Sequence, residues 1–149
     1  MKLFVLRHGE AEYSASTDQE RQLTEHGKSE VRSAVEKSLS KLKVVKHIFV
    51  SPYIRAQQTA GIVHELLPDI AMSTLPMITP SGKVSEVLDF LQNENIENVL
   101  LVSHQPLVGD LVSELVGQPV GFYRMSTAAL AYVKTDVYAI GCGTLRWIK

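Results

Sequence analysis

Leu3-Phe4-Val5-Leu6 is a continuous apolar run rather than an alternating one, the pattern of a strand covered on both faces of a sheet. Val99-Leu100-Leu101-Val102 repeats it, and His47-Ile48-Phe49-Val50 is a similar run of four. These segments predict central strands, and residues 70 to 75 a further short one. Between them the apolar positions follow helical spacing: Val31, Ala34, Val35, Leu39 and Leu42; Ile54, Ala60, Ile62, Val63, Leu66 and Leu67; Val84, Val87, Leu88 and Leu91; and Leu107, Val108, Leu111, Val112, Leu115 and Val116. Thr24 is placed to cap the first of these helices, Ser51 with Pro52 to open the second, and Ser81 to cap the third. Pro68 ends the second helix, and Gly117 followed by Pro119 ends the fourth.

The last third changes texture. Residues 128 to 134 and 137 to 148 are rich in β-branched and aromatic residues, with Lys134-Thr135-Asp136 between them, and predict a terminal hairpin. Strands alternating with helices and then a hairpin give the expected fold class: a three-layer α/β/α domain with a mixed, mostly parallel central sheet and a C-terminal β-hairpin. A chain of 149 residues is expected to form one domain, residues 1 to 149, around one sheet.

Three predicted strands end in polar residues. Arg7-His8-Gly9 follows the first, Ser51-Pro52 with Arg55 the second, and Ser103-His104 the later apolar run. In open α/β sheets ligands bind outside the carboxyl ends of the strands, where helix N-termini offer unpaired amides and a partial positive charge. Two arginines and two histidines in such a crevice describe an anion site, and phosphate is the natural guest. Arg55 adds weight, because a cation in the first turn of a helix opposes the helix dipole and gains little from a structural role there. His26, His47 and His64 have no partner cluster and read as solvated or structural.

Charge and composition narrow the function. A formal net charge of -1 argues against a general nucleic-acid surface. The single cysteine, Cys142, excludes an internal disulfide and a multi-cysteine zinc site and fits a reducing cytoplasm, which is the expected location. Arg7 cuts the N-terminal apolar run too early for a signal h-region, and no apolar stretch predicts a membrane span. Gly27-Lys28-Ser29 looks like the end of a P-loop, but Gln22 stands where that loop needs its first glycine. His8-x-Glu10 would open a zinc deaminase signature whose paired cysteines do not exist here. Two histidines and a carboxylate could hold a metal, but two arginines in the same crevice would repel a dication, so no metal site is assigned. No G-x-S-x-G elbow is present for a serine hydrolase.

Taken together, Arg7-His8-Gly9, Leu23-Thr24-x-x-Gly27, Ser51-Pro52-x-x-Arg55-Ala56-x-Gln58-Thr59, Leu75-Pro76 and Val102-Ser103-His104-x-Pro106-Leu107-Val108 resemble the histidine phosphatase superfamily, also called phosphoglycerate mutase-like, and within it the short SixA-type phosphohistidine phosphatases. The resemblance implies a catalytic core of Arg7, His8, Arg55 and His104 around a phosphoryl group, with His8 as nucleophile and a covalent phosphohistidine intermediate. It implies neither metal nor cofactor. Gly9, Arg21 and Ser51 are further candidates for binding phosphate or substrate. The expected activity is that of a protein phosphohistidine phosphatase, with a phosphorylated protein as partner, a histidine-containing phosphotransfer domain among the candidates, and no nucleic acid or membrane. Alternatives are a phosphomonoesterase for a small metabolite or phosphoserine and a non-catalytic phosphate- or phosphopeptide-binding module.

One departure bears on the leaving group. Many relatives carry an acidic residue after the Leu-Pro element, and here that position is Met77. An alkoxide leaves poorly without a proton, whereas a phosphorylated imidazole can be protonated on its other ring nitrogen and leave as neutral imidazole. Glu86, Asp18 and Glu12 are the carboxylates considered as acids in its place.

Overall fold

The computed structural model describes residues 1 to 149. The continuous apolar runs form the centre of a six-stranded sheet. Its strands are β1 (Lys2–Arg7), β2 (His47–Val50), β3 (Ala71–Thr74), β4 (Val99–Ser103), β5 (Leu130–Thr135) and β6 (Gly143–Ile148), in the order β3-β2-β4-β1-β5-β6. The β3-β2, β2-β4 and β4-β1 pairings are parallel, and β1-β5 and β5-β6 antiparallel. The mixed, mostly parallel sheet and its terminal hairpin are as expected.

Four helices cover the sheet: α1 (Glu25–Leu42), α2 (Ile54–Leu66), α3 (Val84–Glu94) and α4 (Leu107–Leu115). Because successive strand residues point to opposite faces, Leu3, Val5, Val99 and Leu101 pack on one side with Val87, Leu91, Leu111 and Leu115 of α3 and α4. Phe4, Leu6, Leu100 and Val102 pack on the other with Val31, Val35, Ala60 and Val63 of α1 and α2. Two apolar faces on one sheet explain why the central strands show no polar alternation.

Thr24 caps α1, its hydroxyl accepting the Gly27 amide at 2.9 Å. Two other cap expectations fail. The α2 helix begins at Ile54, with Tyr53 at the N-cap position, because the Ser51 hydroxyl is engaged with His104 and the Tyr53 amide. Before α3, Thr79 to Gly82 close a turn, the Gly82 amide donating to the Thr79 carbonyl at 3.0 Å. Ser81 is spent in that turn, and Lys83 takes the N-cap position.

The hairpin is also shorter than its composition suggests. Residues 136 to 142 leave the sheet, so that the strands are joined by a longer connection than Lys134-Thr135-Asp136. Tyr138 turns inward within it, is 3% exposed, and donates its hydroxyl to the Ile96 carbonyl beyond α3 at 3.2 Å. Packing of that aromatic ring outweighs the β propensity of its neighbours.

Candidate active site

The register of the parallel strands assembles the site. Arg7 pairs with Ser103 across β1 and β4, and Val50 pairs with Val102 across β2 and β4. The next residues, His8, Ser51 and His104, therefore emerge side by side at the carboxyl edge. The ladder continues one step into them: the His8 amide donates to the Ser103 carbonyl and the Ser51 amide to the Val102 carbonyl, both at 3.0 Å. Arg55 reaches the same place from the first turn of α2. These polar side chains are buried, His8 being 6% exposed, Arg55 4% and His104 1%.

His8 has a defined tautomer. Its Nδ1 lies 2.6 Å from the Gly9 carbonyl, which can only accept, so the proton is on Nδ1. Nε2 keeps its lone pair and accepts a hydrogen bond from Arg55 Nε at 3.3 Å. Burial pushes the His8 pKa down to about 4; Arg55, Arg7 and Arg21 lower it too, against the opposing pull of the Gly9 carbonyl. A pKa so lowered favours the neutral ring at pH 7.

The second histidine ring stands 5.0 Å from the first, centroid to centroid, and meets Tyr53 edge to face at the same distance. His104 Nε2 lies 2.6 Å from Ser51 Oγ, while its Nδ1 is buried with no partner in the protein. Burial first, then His8 and Arg55, push its pKa down to about 3.

Arg7 sends Nη1 to the Met125 carbonyl at 2.8 Å, and its Nε is buried without a partner. Arg55 spends the rest of its guanidinium on Asp18: Nη1 donates to the Asp18 carbonyl at 2.6 Å and Nη2 to the carboxylate at 3.1 Å. The other carboxylate oxygen of Asp18 accepts from Arg21 Nη1 at 3.0 Å. Hydrogen bonds from Arg21 and Arg55 hold the Asp18 carboxyl below its ordinary pKa. Arg21 also donates Nε to the Glu12 carbonyl at 2.6 Å. It joins the site through Asp18, without touching His8.

Gly9 belongs to the scaffold. Its amide donates to the Thr59 hydroxyl at 3.2 Å, and that hydroxyl donates to the Arg55 carbonyl at 2.8 Å. A side chain at Gly9 would put Cβ 2.6 Å from the Gly27 carbonyl oxygen. The strand end and the first turn of α1 therefore meet through two glycines. Of the sequence candidates, the structure joins Arg7, His8, Arg55, His104 and Ser51 directly, Arg21 through Asp18, and Gly9 as packing.

Sequence reasoning gave no place to Tyr53, whose ring contacts both His104 and the Arg55 guanidinium, the latter at 5.1 Å. It also gave none to the segment from Met125 to Ala129. There the Ala128 amide donates to the His8 carbonyl at 3.0 Å and the Ala129 carbonyl accepts the Arg7 amide at 3.0 Å. Those contacts are made by backbone, so no side-chain motif could have announced them. The other histidines lie outside the site: His47 meets Ser73 Oγ at 2.8 Å, and His26 is an exposed neighbour of Glu10 and Glu30. No helix is long and apolar enough to cross a membrane.

Known proteins share this architecture. The chain is 37% identical over 146 residues to a Haemophilus influenzae protein named Phosphohistidine phosphatase SixA homolog, covering 89% of this chain and 88% of that one. It is 38% identical over 153 residues to Phosphohistidine phosphatase SixA of Escherichia coli K12, covering 99% and 92%. The solved structure of the protein histidine phosphatase SixA complexed with tungstate superposes with a TM-score of 0.87 at 37% identity, covering 99% of this chain and 96% of that one. More distantly, the alpha-ribazole phosphatase of Shigella flexneri has the same fold, with a TM-score of 0.78 at 18% identity. Residues 3–78 match the family model of the Histidine phosphatase superfamily (branch 1), and with these relatives the chain belongs to that superfamily.

Proposed function

We propose that this chain is a protein phosphohistidine phosphatase that hydrolyses the phosphorus–nitrogen bond in two steps, through a phosphohistidine on His8. The observation that carries the reading is the His8 tautomer: Nδ1–H is tied to the Gly9 carbonyl at 2.6 Å, which presents a neutral, unprotonated Nε2 beside Arg55. A lone pair so placed attacks phosphorus without first losing a proton, and a covalent intermediate divides one hard step into two easier ones.

The remaining residues handle charge. Phosphoryl transfer develops negative charge on the equatorial oxygens, and forked guanidinium donors suit them. In this reading Arg55 turns its guanidinium from Asp18 to the phosphoryl group, and the buried, unpartnered Arg7 Nε and His104 Nδ1 are the atoms that meet its oxygens. His104 can do this while neutral. The Ser51 hydroxyl already accepts the Tyr53 amide at 3.2 Å, and its one proton has no acceptor other than His104 Nε2. Donated there, it leaves the imidazole proton on Nδ1.

Phosphohistidine is the substrate favoured by the curated relatives that share more than a third of their residues with this chain, both named phosphohistidine phosphatases. Met77, in place of an acidic residue, fits a leaving group that needs no strong acid. We take residues 1 to 149 as one such domain. Its partner in this reading is a phosphorylated protein, such as a histidine-containing phosphotransfer domain, and its place of action the cytoplasm, where the exposed Cys142 stays reduced.

Rates on a histidine-phosphorylated protein and on a panel of phosphate esters test the proposal. We expect a marked preference for phosphohistidine and, on quenching in base, an acid-labile label that His8→Ala abolishes. A preference for esters, or substantial turnover by His8→Ala, would overturn it.

A further inference from the structure

We infer that Asp18 is a specificity-determining residue that holds the leaving imidazole of the substrate and favours phosphohistidine over phosphate esters. The inference rests on the reading above and goes beyond it by naming the group that meets the leaving side. Asp18 lies in the single 3-10 turn Asp18–Glu20, and its side chain is 55% exposed, at the mouth of a site in which His8, Arg55 and His104 are buried. One carboxylate oxygen is held by Arg21 and the other by Arg55, at 3.0 and 3.1 Å. The Arg55 guanidinium that donates one of those bonds also donates, through Nε, to the attacking atom of His8. Asp18 and His8 Nε2 thus lie at two corners of one guanidinium.

A carboxylate has lone pairs for about four donors, and two arginine contacts leave its solvent side open. The Arg21 hydrogen bond, which remains when Arg55 turns to the phosphoryl group, is the first cause holding the carboxyl below its ordinary pKa, so it is unsuited to donate a proton and suited to accept a hydrogen bond. The matching donor is the ring N–H of a phosphorylated imidazole on the nitrogen away from phosphorus. An anion beside that N–H favours the protonated ring.

The chemistry then balances without a separate acid. His8 Nε2 forms its bond to phosphorus as the substrate's phosphorus–nitrogen bond breaks, and the bonding pair returns to the substrate ring. Because the far nitrogen already carries its proton, the ring departs as neutral imidazole. A phosphate ester offers no such N–H, and its departing oxygen would face a carboxylate that repels it.

The test compares wild type, Asp18→Asn and Asp18→Glu at pH 8 on a histidine-phosphorylated protein and on nitrophenyl phosphate, whose leaving group needs no proton. Asp18→Asn should lower the ratio of kcat/KM for phosphohistidine to that for the ester about tenfold, the effect of making the leaving ring about one pH unit harder to protonate. Asp18→Glu should recover part of the ratio. An equal fall on both substrates would make Asp18 a prop for its arginines, and an unchanged ratio would also overturn the inference, each leaving the phosphatase reading intact. Wild type that acts on the ester but not on phosphohistidine would overturn both.

Discussion

His104 Nε2 lies 2.6 Å from the hydroxyl of Ser51, and this contact decides what the opposite nitrogen of the ring offers the crevice. With the serine proton given to Nε2, Nδ1 is a donor at neutral pH although burial and its neighbours push the ring pKa down to about 3. Ser51→Ala removes that control and leaves a buried nitrogen unpaired, which costs about 1–3 kcal/mol. We expect kcat/KM to fall roughly tenfold or more, with Ser51→Thr retaining more activity than Ser51→Ala. Steady-state kinetics on a histidine-phosphorylated protein, together with the nitrogen NMR shifts of the His104 ring, check this outcome.

Two buried histidines also contribute to how stability responds to acid. Both have folded pKa values below the ordinary 6.5, about 4 for His8 and about 3 for His104, so between those values and 6.5 the unfolded chain binds protons that the folded chain does not. The contribution of these histidines to stability is fully present above pH 6.5 and is lost as pH falls through that window, at up to about 1.4 kcal/mol per pH unit for each histidine. Thermal unfolding from pH 7.5 to 4.5 should show the loss, and His104→Gln should flatten part of the slope. Parallel curves for wild type and His104→Gln would contradict the assignment.

Much of this candidate site is legible in the sequence, because its buried polar residues are side chains at strand ends, where a continuous apolar run stops at Arg7-His8 or Ser103-His104. What stays hidden there is held by backbone or by tertiary pairing. The Met125 carbonyl on Arg7 and the Ala128 amide on His8 leave no trace in side-chain pattern. The hairpin connection departs from its composition because the inward packing of Tyr138 overrides local propensity. Ser51 has the look of a helix cap, and its hydroxyl is taken by a histidine more than fifty residues away in the chain.

Arg55 is expected to carry the largest share of phosphate recognition in the proposed reaction, since its guanidinium alone contacts both His8 and Asp18. In the free protein an arriving phosphate must compete with Asp18 for the same fork. Arg55→Ala should weaken inhibition by tungstate, a phosphate mimic, by a factor of about 10 to 100, corresponding to roughly 1.5–3 kcal/mol for charge-assisted hydrogen bonds. Arg55→Lys should recover little, because an ammonium cannot bridge two acceptors as a planar fork does. Inhibition curves at fixed ionic strength measure both, and equal affinity in wild type and Arg55→Ala would remove Arg55 from the phosphate site.

Gly9 offers a test of scaffold against chemistry. A Cβ there would lie 2.6 Å from the Gly27 carbonyl oxygen and 2.8 Å from Val31 Cγ2, so Gly9→Ala must push the end of β1 away from α1. The residue displaced with it is His8, and a misplacement near 1 Å of a reacting atom costs about 10²-fold in rate. We expect kcat to fall by about that factor and stability by about 1–3 kcal/mol, the usual cost of overpacking. Gly61, in α2, is the control, since nothing lies within 4 Å of the place a Cβ would occupy there. Gly61→Ala should stabilise the helix by about 0.4–1 kcal/mol and leave turnover unchanged. If Gly9→Ala matched Gly61→Ala in both kcat and melting temperature, the close contact between strand end and helix would have no part in positioning His8.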